Sequence, residues 1–315
     1  MVPLTIIGGY LGAGKTTLLN HLLRSAGGRR LALIVNDFGE LAIDAELVER
    51  RDEEQISLTN GCICCGMSDG FDAALDDLLA RSPPPEHILV EASGVADVGV
   101  LGRYGHLPGL SPDGVIVLVD ATRIRALAED RFVQRTVRRQ LQHGDLLIVS
   151  KIDLLAPGQL EVLRAWLDRT FPDVPRLESS PDGLPLDVVL GALPEAERRG
   201  GVLTELAPHA AHPDYVSGAR RFPGVLERAA VETFMAALPP SVLRAKGVFT
   251  IDGARFVFQR TGNRSSLTAA REAAAGAGED NAVVAIGLAS HFAPRSFDEA
   301  ADRLAASALR ARAPG

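Results

Sequence analysis

The feature that most constrains this chain is the segment GYLGAGKT at residues 9–16, which fits the pattern G-x-x-x-x-G-K-[ST]. It follows the short apolar run LTIIG (4–8) and opens the helical pattern GKTTLLNHLLRS (14–25). A strand, a glycine-rich loop and a helix in this order gather backbone N–H groups and the positive end of a helix dipole around one point. The segment therefore predicts a loop that binds the phosphates of a nucleotide.

Each residue type in this loop has a predicted role. Lys15 would place its charge on the β- and γ-phosphates, Thr16 would offer its hydroxyl to Mg²⁺, and Thr17 would contact the α-phosphate. The alternative is a glycine-rich turn that only starts a helix. The backbone N–H groups that we expect on the phosphate oxygens come from Gly9, Gly12, Ala13 and Gly14.

Short apolar runs alternate with helical patterns along the first half of the chain, which is typical of a parallel sheet with helices on both faces. We therefore predict an α/β fold, a P-loop NTPase domain with a mostly parallel sheet, and expect ligands beyond the carboxyl ends of its strands. The predicted strands are LTIIG (4–8), LALIVND (31–37), HILVEAS (87–93), GVIVLVDA (114–121) and DLLIVSK (145–151). The predicted helices are GKTTLLNHLLRS (14–25), DGFDAALDDLLARS (69–82) and residues 123–143.

The pattern changes after Pro194, where charge, Gly, Pro and His mix without periodicity. We predict a first domain over 1–195, a linker over 196–220 and a smaller α+β domain over 221–315. In the last, GVFTIDG (247–253) and RFVFQRTG (255–262) read as strands joined by an Asp-Gly turn. NAVVAIG (281–287) is another predicted strand, and helices are predicted over 225–239 and 296–310. In the linker, His209 and His212 are either exposed polar residues or a relay for a metal ion.

Composition limits the partners and the compartment. A net charge of −7 and a pI near 5.6 argue against nucleic acid or an anionic membrane as partner, because both select a basic surface. The amino terminus lacks a signal-peptide pattern, and no apolar run approaches the roughly 18 residues of a membrane helix. We therefore expect a cytoplasmic protein with reduced thiols.

The segment SKID predicts which base the nucleotide carries. Ser150, Lys151 and Asp153 match the [NST]-K-x-D pattern of guanine-specific proteins. The carboxylate of Asp153 can accept from both N1–H and N2–H₂ of guanine, and adenine lacks that pair of donors. Most such proteins carry Asn where this chain has Ser150, so we expect a weaker tie between the loops here. The alternative is a surface segment in which Asp153 caps a helix.

Acidic residues follow two predicted strands on the side of the phosphate loop. Glu91 ends one strand and can hold Mg²⁺, directly or through water, or orient the attacking water. Gly94 would leave room for a γ-phosphate and give it a backbone N–H. Asp37 and Glu40 follow another strand, in a segment that resembles a first switch loop. Our candidate catalytic residues are Lys15, Glu91 and Asp37.

All three cysteines of the chain lie within four positions, at Cys62, Cys64 and Cys65. They are too close in sequence for an easy disulfide framework, but thiolates at this spacing suit Zn²⁺ or a similar ion, with a fourth position left for another ligand. A thiol–disulfide redox site, inert buried cysteines and a structural zinc site are the alternatives. The motif lies between the predicted switch and Glu91, so a γ-phosphate and a metal can share the same segments.

Together these motifs resemble the CobW-like GTPases, metal-insertion chaperones related to the nickel-insertion GTPases of urease and hydrogenase. The resemblance rests on GGYLGAGKTTLLN, NDFGELAID, GCICC, EASGVAD, VDA at 119–121 and SKID, with LRAKGVFTIDG (243–253) in the carboxyl half. It implies a slow GTPase that uses GTP and Mg²⁺, binds Zn²⁺ or Co²⁺ at Cys62, Cys64 and Cys65, and delivers the ion to a client protein. It also implies that Glu40, and with it Asp37, can join the metal.

The predicted mechanism is a population switch in which GTP and Mg²⁺ close the metal site and hydrolysis loosens it. Two other classes stay open: a small-molecule kinase or other P-loop transferase with incidental cysteines, and a non-catalytic metal-buffering module. A homodimer across the nucleotide is also open, as are the client and the physiological metal.

Overall fold

The computed structural model describes residues 1–26, 28–36, 55–58, 69–180, 182–191, 215–270 and 281–310. The chain divides into two compact units, Met1–Leu186 and Asp187–Gly315. Each unit has a hydrophobic core of its own. Among the described residues, no helix combines the length and the apolar character that crossing a membrane requires.

The first unit is built on a sheet of seven parallel strands in the order β3-β2-β4-β1-β5-β6-β7. All five predicted strands are present, and the predicted α/β fold class is confirmed. The structure adds two short strands at the edges, β3 and β7. The strands are β1 (Val2–Gly8), β2 (Leu31–Asn36), β3 (Gln55–Leu58), β4 (His87–Glu91), β5 (Leu110–Asp120), β6 (Leu146–Ser150) and β7 (Arg176–Glu178).

The helices of this unit contribute buried apolar side chains to its hydrophobic core. They are α1 (Lys15–Arg24), α2 (Asp69–Ala80), α3 (Val98–Gly102), α4 (Ile124–Glu129), α5 (Gln134–His143) and α6 (Gln159–Thr170), with 3-10 helices at Arg103–His106 and Ile152–Leu154. A further helix, α7 (Leu186–Leu190), begins where the two units divide.

The single helix predicted over 123–143 is wrong, because the structure has two helices there. Helix α4 ends at Glu129, and α5 starts at Gln134. The carboxylate of Asp130 accepts from the backbone N–H groups of Phe132 and Val133, at 2.8 and 3.2 Å. A side chain that satisfies backbone donors in this way forms a local turn that competes with a continuous helix.

The core explains why the central strands read as continuous apolar runs. Every residue of β4, β5 and β6 is buried, because helices cover both faces of a parallel sheet. On α1, Leu18, Leu19 and Leu22 are fully buried at helical spacing.

The second unit is an antiparallel sheet of five strands in the order β11-β10-β9-β12-β8. Helices α8 (Arg228–Ala237) and α9 (Pro294–Arg310) contribute apolar residues to its core, where Phe234 packs with Phe249 and Phe258. The predicted α+β class of this half is confirmed. The strands are β8 (Tyr215–Phe222), β9 (Val242–Ile251), β10 (Ala254–Thr261), β11 (Arg264–Ala269) and β12 (Asn281–Leu288).

The Asp-Gly turn predicted in this unit joins β9 to β10. Asp252 and Gly253 both have positive φ, 49° and 83°. This is the backbone of a type I′ hairpin turn, whose twist matches that of the flanking strands.

The segment predicted as a linker is ordered at its end. Strand β8 begins at Tyr215 and pairs with β12, so residues 215–220 belong to the second sheet rather than to a linker. Residues 192–214 lie outside the described residues, and with them His209 and His212. The boundary at 195 and the role of these histidines stay predictions.

A buried polar network crosses the middle of the first sheet. The hydroxyl of Thr5 on β1 donates to the carboxylate of Asp113 on β5 at 2.6 Å, and it lies 2.8 Å from Nε2 of His87 on β4. His87 Nε2 is also 3.3 Å from Asp113 Oδ2. All three side chains are buried. A buried polar group without a hydrogen bond lowers the stability of the fold, so the bonds that Thr5 makes to Asp113 and His87 stabilise this unit.

We predict that Thr5→Val destabilises the first unit by about 1–3 kcal/mol, because the isosteric methyl can neither donate to Asp113 nor accept from His87. The measurement is urea unfolding followed by the fluorescence of Trp166, the only tryptophan of the chain, which is buried in this unit.

The matched control is Thr136→Val, since Thr136 lies on α5 and its hydroxyl makes no hydrogen bond among the described residues. If Thr5→Val lowered the free energy of unfolding by no more than Thr136→Val does, the network would not contribute to stability.

Candidate nucleotide site

The predicted phosphate loop lies between the carboxyl end of β1 and the start of α1. Gly9, Gly12 and Gly14 have φ values of 133°, 78° and 101°, a region that other residues rarely adopt. A Cβ on Gly9 would lie 2.5 Å from the backbone oxygen of Leu118 on β5, so this position also has no room for a side chain. The sequence pattern therefore reflects a backbone that only glycine forms easily.

Lys15 and Thr16 begin helix α1 directly after this loop. Lys15 is buried, and its Nζ donates to the backbone oxygen of Gly9 at 3.1 Å, so the side chain folds back along the loop. Thr16 donates to Oε1 of Glu91 at 3.4 Å. Glu91 is 2% exposed and pairs in register with Ile7, because β4 lies directly beside β1. The loop and the acidic strand end thus meet as predicted from their positions in the chain.

The guanine motif follows β6 and reaches the phosphate loop from the other side. Ser150 is fully buried, and its hydroxyl lies 3.2 Å from the backbone oxygens of both Ala13 and Val119. The serine therefore ties the loop to β5 although it is shorter than the more common asparagine. Asp153 is exposed and lies inside the 3-10 helix, whose N-cap is Lys151. The alternative in which Asp153 caps a helix is not supported.

Within this motif, Lys151 connects the phosphate loop to β5 through two hydrogen bonds. It has left-handed backbone angles, φ 59° and ψ 31°, and its Nζ donates at 2.7 Å both to the backbone oxygen of Gly12 and to Oδ2 of Asp120. One ammonium group thereby joins the phosphate loop, β5 and β6. The left-handed residue is the local deviation that lets the side chain turn back over the loop.

Asp120 is a site residue to which the sequence analysis assigned no role. It ends β5, is 5% exposed, and its Oδ1 accepts from both the backbone N–H and the hydroxyl of Thr122. Burial acts to raise the pKa of Asp120, but the hydrogen bonds from Lys151 and Thr122 and the charge of Lys151 outweigh it and hold that pKa below the ordinary value. The available signal was an acidic residue at the end of an apolar strand followed by Thr two positions later.

Gly94 lies in a turn that touches the phosphate loop. The turn runs from Ser93 to Ala96 and is closed by a 2.9 Å backbone hydrogen bond between them. A Cβ on Gly94 would lie 2.7 Å from Cδ2 and 2.9 Å from the backbone nitrogen of Leu11. Only glycine allows the turn to pack this closely against the loop.

The residues predicted to bind Zn²⁺ or Co²⁺ lie in segments that the structure does not describe. Asp37, Glu40, Cys62, Cys64 and Cys65 lie outside the described residues. Within the part of the chain that the structure describes, no group of three or more His, Cys, Asp and Glu side chains is arranged to hold a metal ion. The metal-binding roles therefore stay predictions.

A parallel sheet, a G-x-x-x-x-G-K-T loop at its carboxyl edge and a lysine shared between that loop and a buried aspartate define a P-loop nucleotide-binding protein. The family described as CobW/HypB/UreG, nucleotide-binding domain, matches residues 3–177, and the cobalamin synthesis protein cobW C-terminal domain matches residues 215–307. The chain belongs to the CobW/HypB/UreG family. This confirms the predicted family and, with it, the prediction of a P-loop GTPase.

Relatives with known names span the chain to different extents. The zinc chaperone CobW of Sinorhizobium sp is 29% identical in an alignment of 356 positions, gaps included. The alignment covers 98% of this chain and 97% of that protein. The zinc chaperone CobW of Pseudomonas aeruginosa is 35% identical over 229 residues, covering 62% of this chain and 61% of that one. The crystal structure of Zn(II)-bound YjiA GTPase from Escherichia coli is 24% identical, covers 96% of this chain and 98% of that chain, and has a TM-score of 0.44.

We predict that Asp120→Asn weakens GDP binding by about three- to tenfold, because Lys151 loses its charged acceptor, and the partial exposure of Lys151 limits the effect. The lowered pKa of Asp120 means that its interaction is present above the ordinary carboxyl pKa and is lost only as the pH falls through the lowered value. The loss of affinity should therefore be the same at about pH 6 and about pH 8. Titration of a fluorescent GDP analogue measures it.

Asp77→Asn is the control, because it removes an exposed carboxylate of α2 that pairs with Arg81, the residue after the helix. Equal GDP affinities for Asp120→Asn and Asp77→Asn would show that the Asp120–Lys151 pair does not support the nucleotide site.

Proposed function

We propose that this protein is a GTP-hydrolysing metallochaperone that binds Zn²⁺ or Co²⁺ at its C-x-C-C motif and delivers the ion to a client protein under nucleotide control. The observation that carries the nucleotide part is the position of Lys151, whose ammonium bridges Gly12 of the phosphate loop and Asp120. The names of the relatives, zinc chaperone among them, support the metal cargo. The client, a homodimer and the cytoplasmic location stay predictions.

The phosphates would be held by the loop residues. Lys15 and the backbone N–H groups of Gly9, Gly12, Ala13 and Gly14 supply positive charge and donors, and Thr17 would reach the α-phosphate. The hydroxyl of Thr16 and the carboxylate of Glu91 lie 3.4 Å apart, and hard oxygen donors of this kind fit Mg²⁺. Bound there, Mg²⁺ would neutralise phosphate charge as hydrolysis proceeds.

Hydrolysis needs a positioned water and a stabilised γ-phosphate. Glu91 is buried at the end of β4, where its carboxylate can orient the attacking water or hold Mg²⁺. Gly94 packs on Leu11 of the phosphate loop, which supports a role in which its backbone N–H would bind the γ-phosphate. Asp37 begins the segment after β2, and its catalytic role is part of the proposal.

The guanine base would be recognised by Asp153. Its side chain is exposed directly after β6, and Lys151 beside it is fixed to the phosphate loop. A carboxylate in this position accepts two hydrogen bonds from guanine and none from adenine. This supports GTP over ATP, and it speaks against the alternative of a small-molecule kinase.

We predict that Asp153→Asn exchanges the base preference. The amide can donate to the 2-oxo group of xanthine, so binding of GDP should fall by about tenfold or more while binding of xanthosine diphosphate rises. Competition against a fluorescent nucleotide measures both, with Asp173→Asn as a control on an aspartate outside the motif. Tighter binding of ADP than of GDP by the unsubstituted protein would favour the kinase or transferase class instead.

The sheet topology supports a connection between nucleotide and metal. Strand β2 pairs with β4 so that Val35 lies beside Glu91, and the predicted switch therefore leaves the sheet next to that carboxylate. Strand β3 is parallel to β2, with Leu58 opposite Asn36, so the chain enters the cysteine segment from the same edge. Four residues from Leu58 to Cys62 can span about 14 Å, which equals about three strand spacings, the separation of β3 from β1.

We predict that Zn²⁺ binds more tightly when the protein carries Mg²⁺ and a non-hydrolysable GTP analogue than when it carries Mg²⁺ and GDP, by about tenfold or more. Competition against a chromophoric chelator measures the two affinities, and Co²⁺ should show thiolate charge-transfer bands. Cys64→Ala and Cys65→Ala should weaken the binding of metal and leave the binding of GTP intact.

Lys15→Ala is the complementary control, because it should abolish nucleotide binding and with it the difference between the two states. Equal metal affinities in the GTP and GDP states would exclude nucleotide control. If GTP hydrolysis were also negligible with metal supplied, the protein would be a metal-buffering module.

A further inference from the structure

Gln140 is a buried residue of α5 that binds the turn containing Gly94. The side chain is 2% exposed, and its Nε2 donates to the backbone oxygen of Gly94 at 3.1 Å and to that of Ala96 at 3.0 Å. A side-chain amide nitrogen carries two hydrogens, so it can make both bonds at once. Gln140 thus holds both ends of the short segment from Gly94 to Ala96.

The residues that follow this turn also contact α5. Asp97 accepts from the backbone N–H of Gly99 at the start of α3, and its carboxylate lies 3.4 Å from Arg139 Nη2 and from His143 Nδ1. A Cβ on Gly99 would lie 2.4 Å from His143 Nδ1. Arg139 and His143 are partly exposed, and contacts of this kind contribute little, so the buried hydrogen bonds of Gln140 are the main attachment.

The turn is therefore held from two sides. On one side Gly94 packs against Leu11 of the phosphate loop, and on the other its carbonyl oxygen is bound by Gln140. Fixing the carbonyl of Gly94 fixes the rigid peptide group between Gly94 and Val95. The N–H of Gly94 belongs to the preceding peptide group, whose carbonyl oxygen, that of Ser93, accepts from the N–H of Ala96 at 2.9 Å, so Gln140 and this turn bond hold two adjoining peptide groups. A γ-phosphate that attracts or displaces this turn has to act against the two bonds from α5.

We propose that Gln140 is a positioning residue for GTP hydrolysis: it holds the Gly94 turn at the distance and orientation that the γ-phosphate requires. The inference rests on the proposed role of Gly94 in binding that phosphate. Because Gln140 acts through the turn, it should affect the triphosphate state and its hydrolysis far more than the binding of GDP, which has no γ-phosphate.

The first test compares Gln140→Leu with Gln142→Leu, since Gln142 is exposed on the same helix. We expect Gln140→Leu to lower the single-turnover rate of GTP hydrolysis by about tenfold, with the Kd for GDP within about twofold of the unsubstituted protein. Gln142→Leu should change neither quantity. An unchanged hydrolysis rate in Gln140→Leu would overturn the inference, and so would equal losses of hydrolysis and GDP binding, which would mark a purely structural residue.

The second test uses Gln140→Glu, which keeps the size of the side chain and makes its donor depend on pH. The ionised carboxylate cannot donate and repels the two carbonyl oxygens, whereas the protonated form can donate one hydrogen bond. The hydrolysis rate relative to the unsubstituted protein should therefore rise as the pH is lowered from about 8 to about 5.5. A ratio that does not change with pH would contradict the donor role.

The rate of GTP hydrolysis by the unsubstituted protein separates a failure of the inference about Gln140 from a failure of the proposed function. If it hydrolyses GTP while Gln140→Leu hydrolyses it equally well, the inference fails and the proposed function stands. If the unsubstituted protein itself does not hydrolyse GTP, the proposed function fails and the positioning role fails with it.

Discussion

The nucleotide site depends on one ammonium group. Lys151 places its Nζ 2.7 Å from the backbone oxygen of Gly12 and 2.7 Å from the carboxylate of Asp120, and so connects a glycine-rich loop to the ends of two strands. The loop itself has little side-chain packing, because three of its residues are glycines with positive φ. Charge-assisted hydrogen bonds are stronger than neutral ones, so this pair adds to the neutral hydrogen bond that the loop receives from Ser150.

A second set of contacts reaches the loop from the opposite direction. Gly94 touches Leu11, Gln140 binds the carbonyl oxygens on either side of Val95, and α5 contacts α3 through His143 and Gly99. The phosphate loop is thereby connected to a helix that contributes no predicted phosphate ligand. Protein interiors are close-packed, so a small displacement of one group is transmitted to its neighbours.

The sequence predicted the central strands and both fold classes because parallel strands buried on both faces are continuous apolar runs. It missed β3 and β7, which are short edge strands of four and three residues. It also missed β8 and β11, because β8 carries Arg220 and Arg221 and β11 is largely polar, so neither has a regular apolar alternation. The break between α4 and α5 contains a turn in which the carboxylate of Asp130 binds two backbone N–H groups, and periodicity does not reveal such a contact.

The residues of the candidate site also fall into two groups, those that the sequence predicted and those that it did not. The motif residues Gly12, Lys15, Ser150 and Lys151 were predicted because their spacing is tied to a ligand whose chemistry is known. Asp120 and Gln140 were not. Gln140 binds backbone oxygens 44 and 46 residues away, and the Lys151 partner of Asp120 is 31 residues away, so no local pattern records these contacts. The only local signal was Thr122, two residues after Asp120.

The order of strands has a consequence for the synthesis of this protein. Strand β1 is made before the other strands of its sheet, yet its two neighbours are β4 and β5, which pair with it through Ile88 and Leu110. This apolar strand therefore has no partner until β4 is made, and such long-range pairing is slow. The cysteines at 62–65 leave the ribosome before either neighbour of β1 and well before Lys151. A nascent chain thus carries these cysteines for a time before its nucleotide site can form, and during that time the control by GTP that we propose cannot act on them.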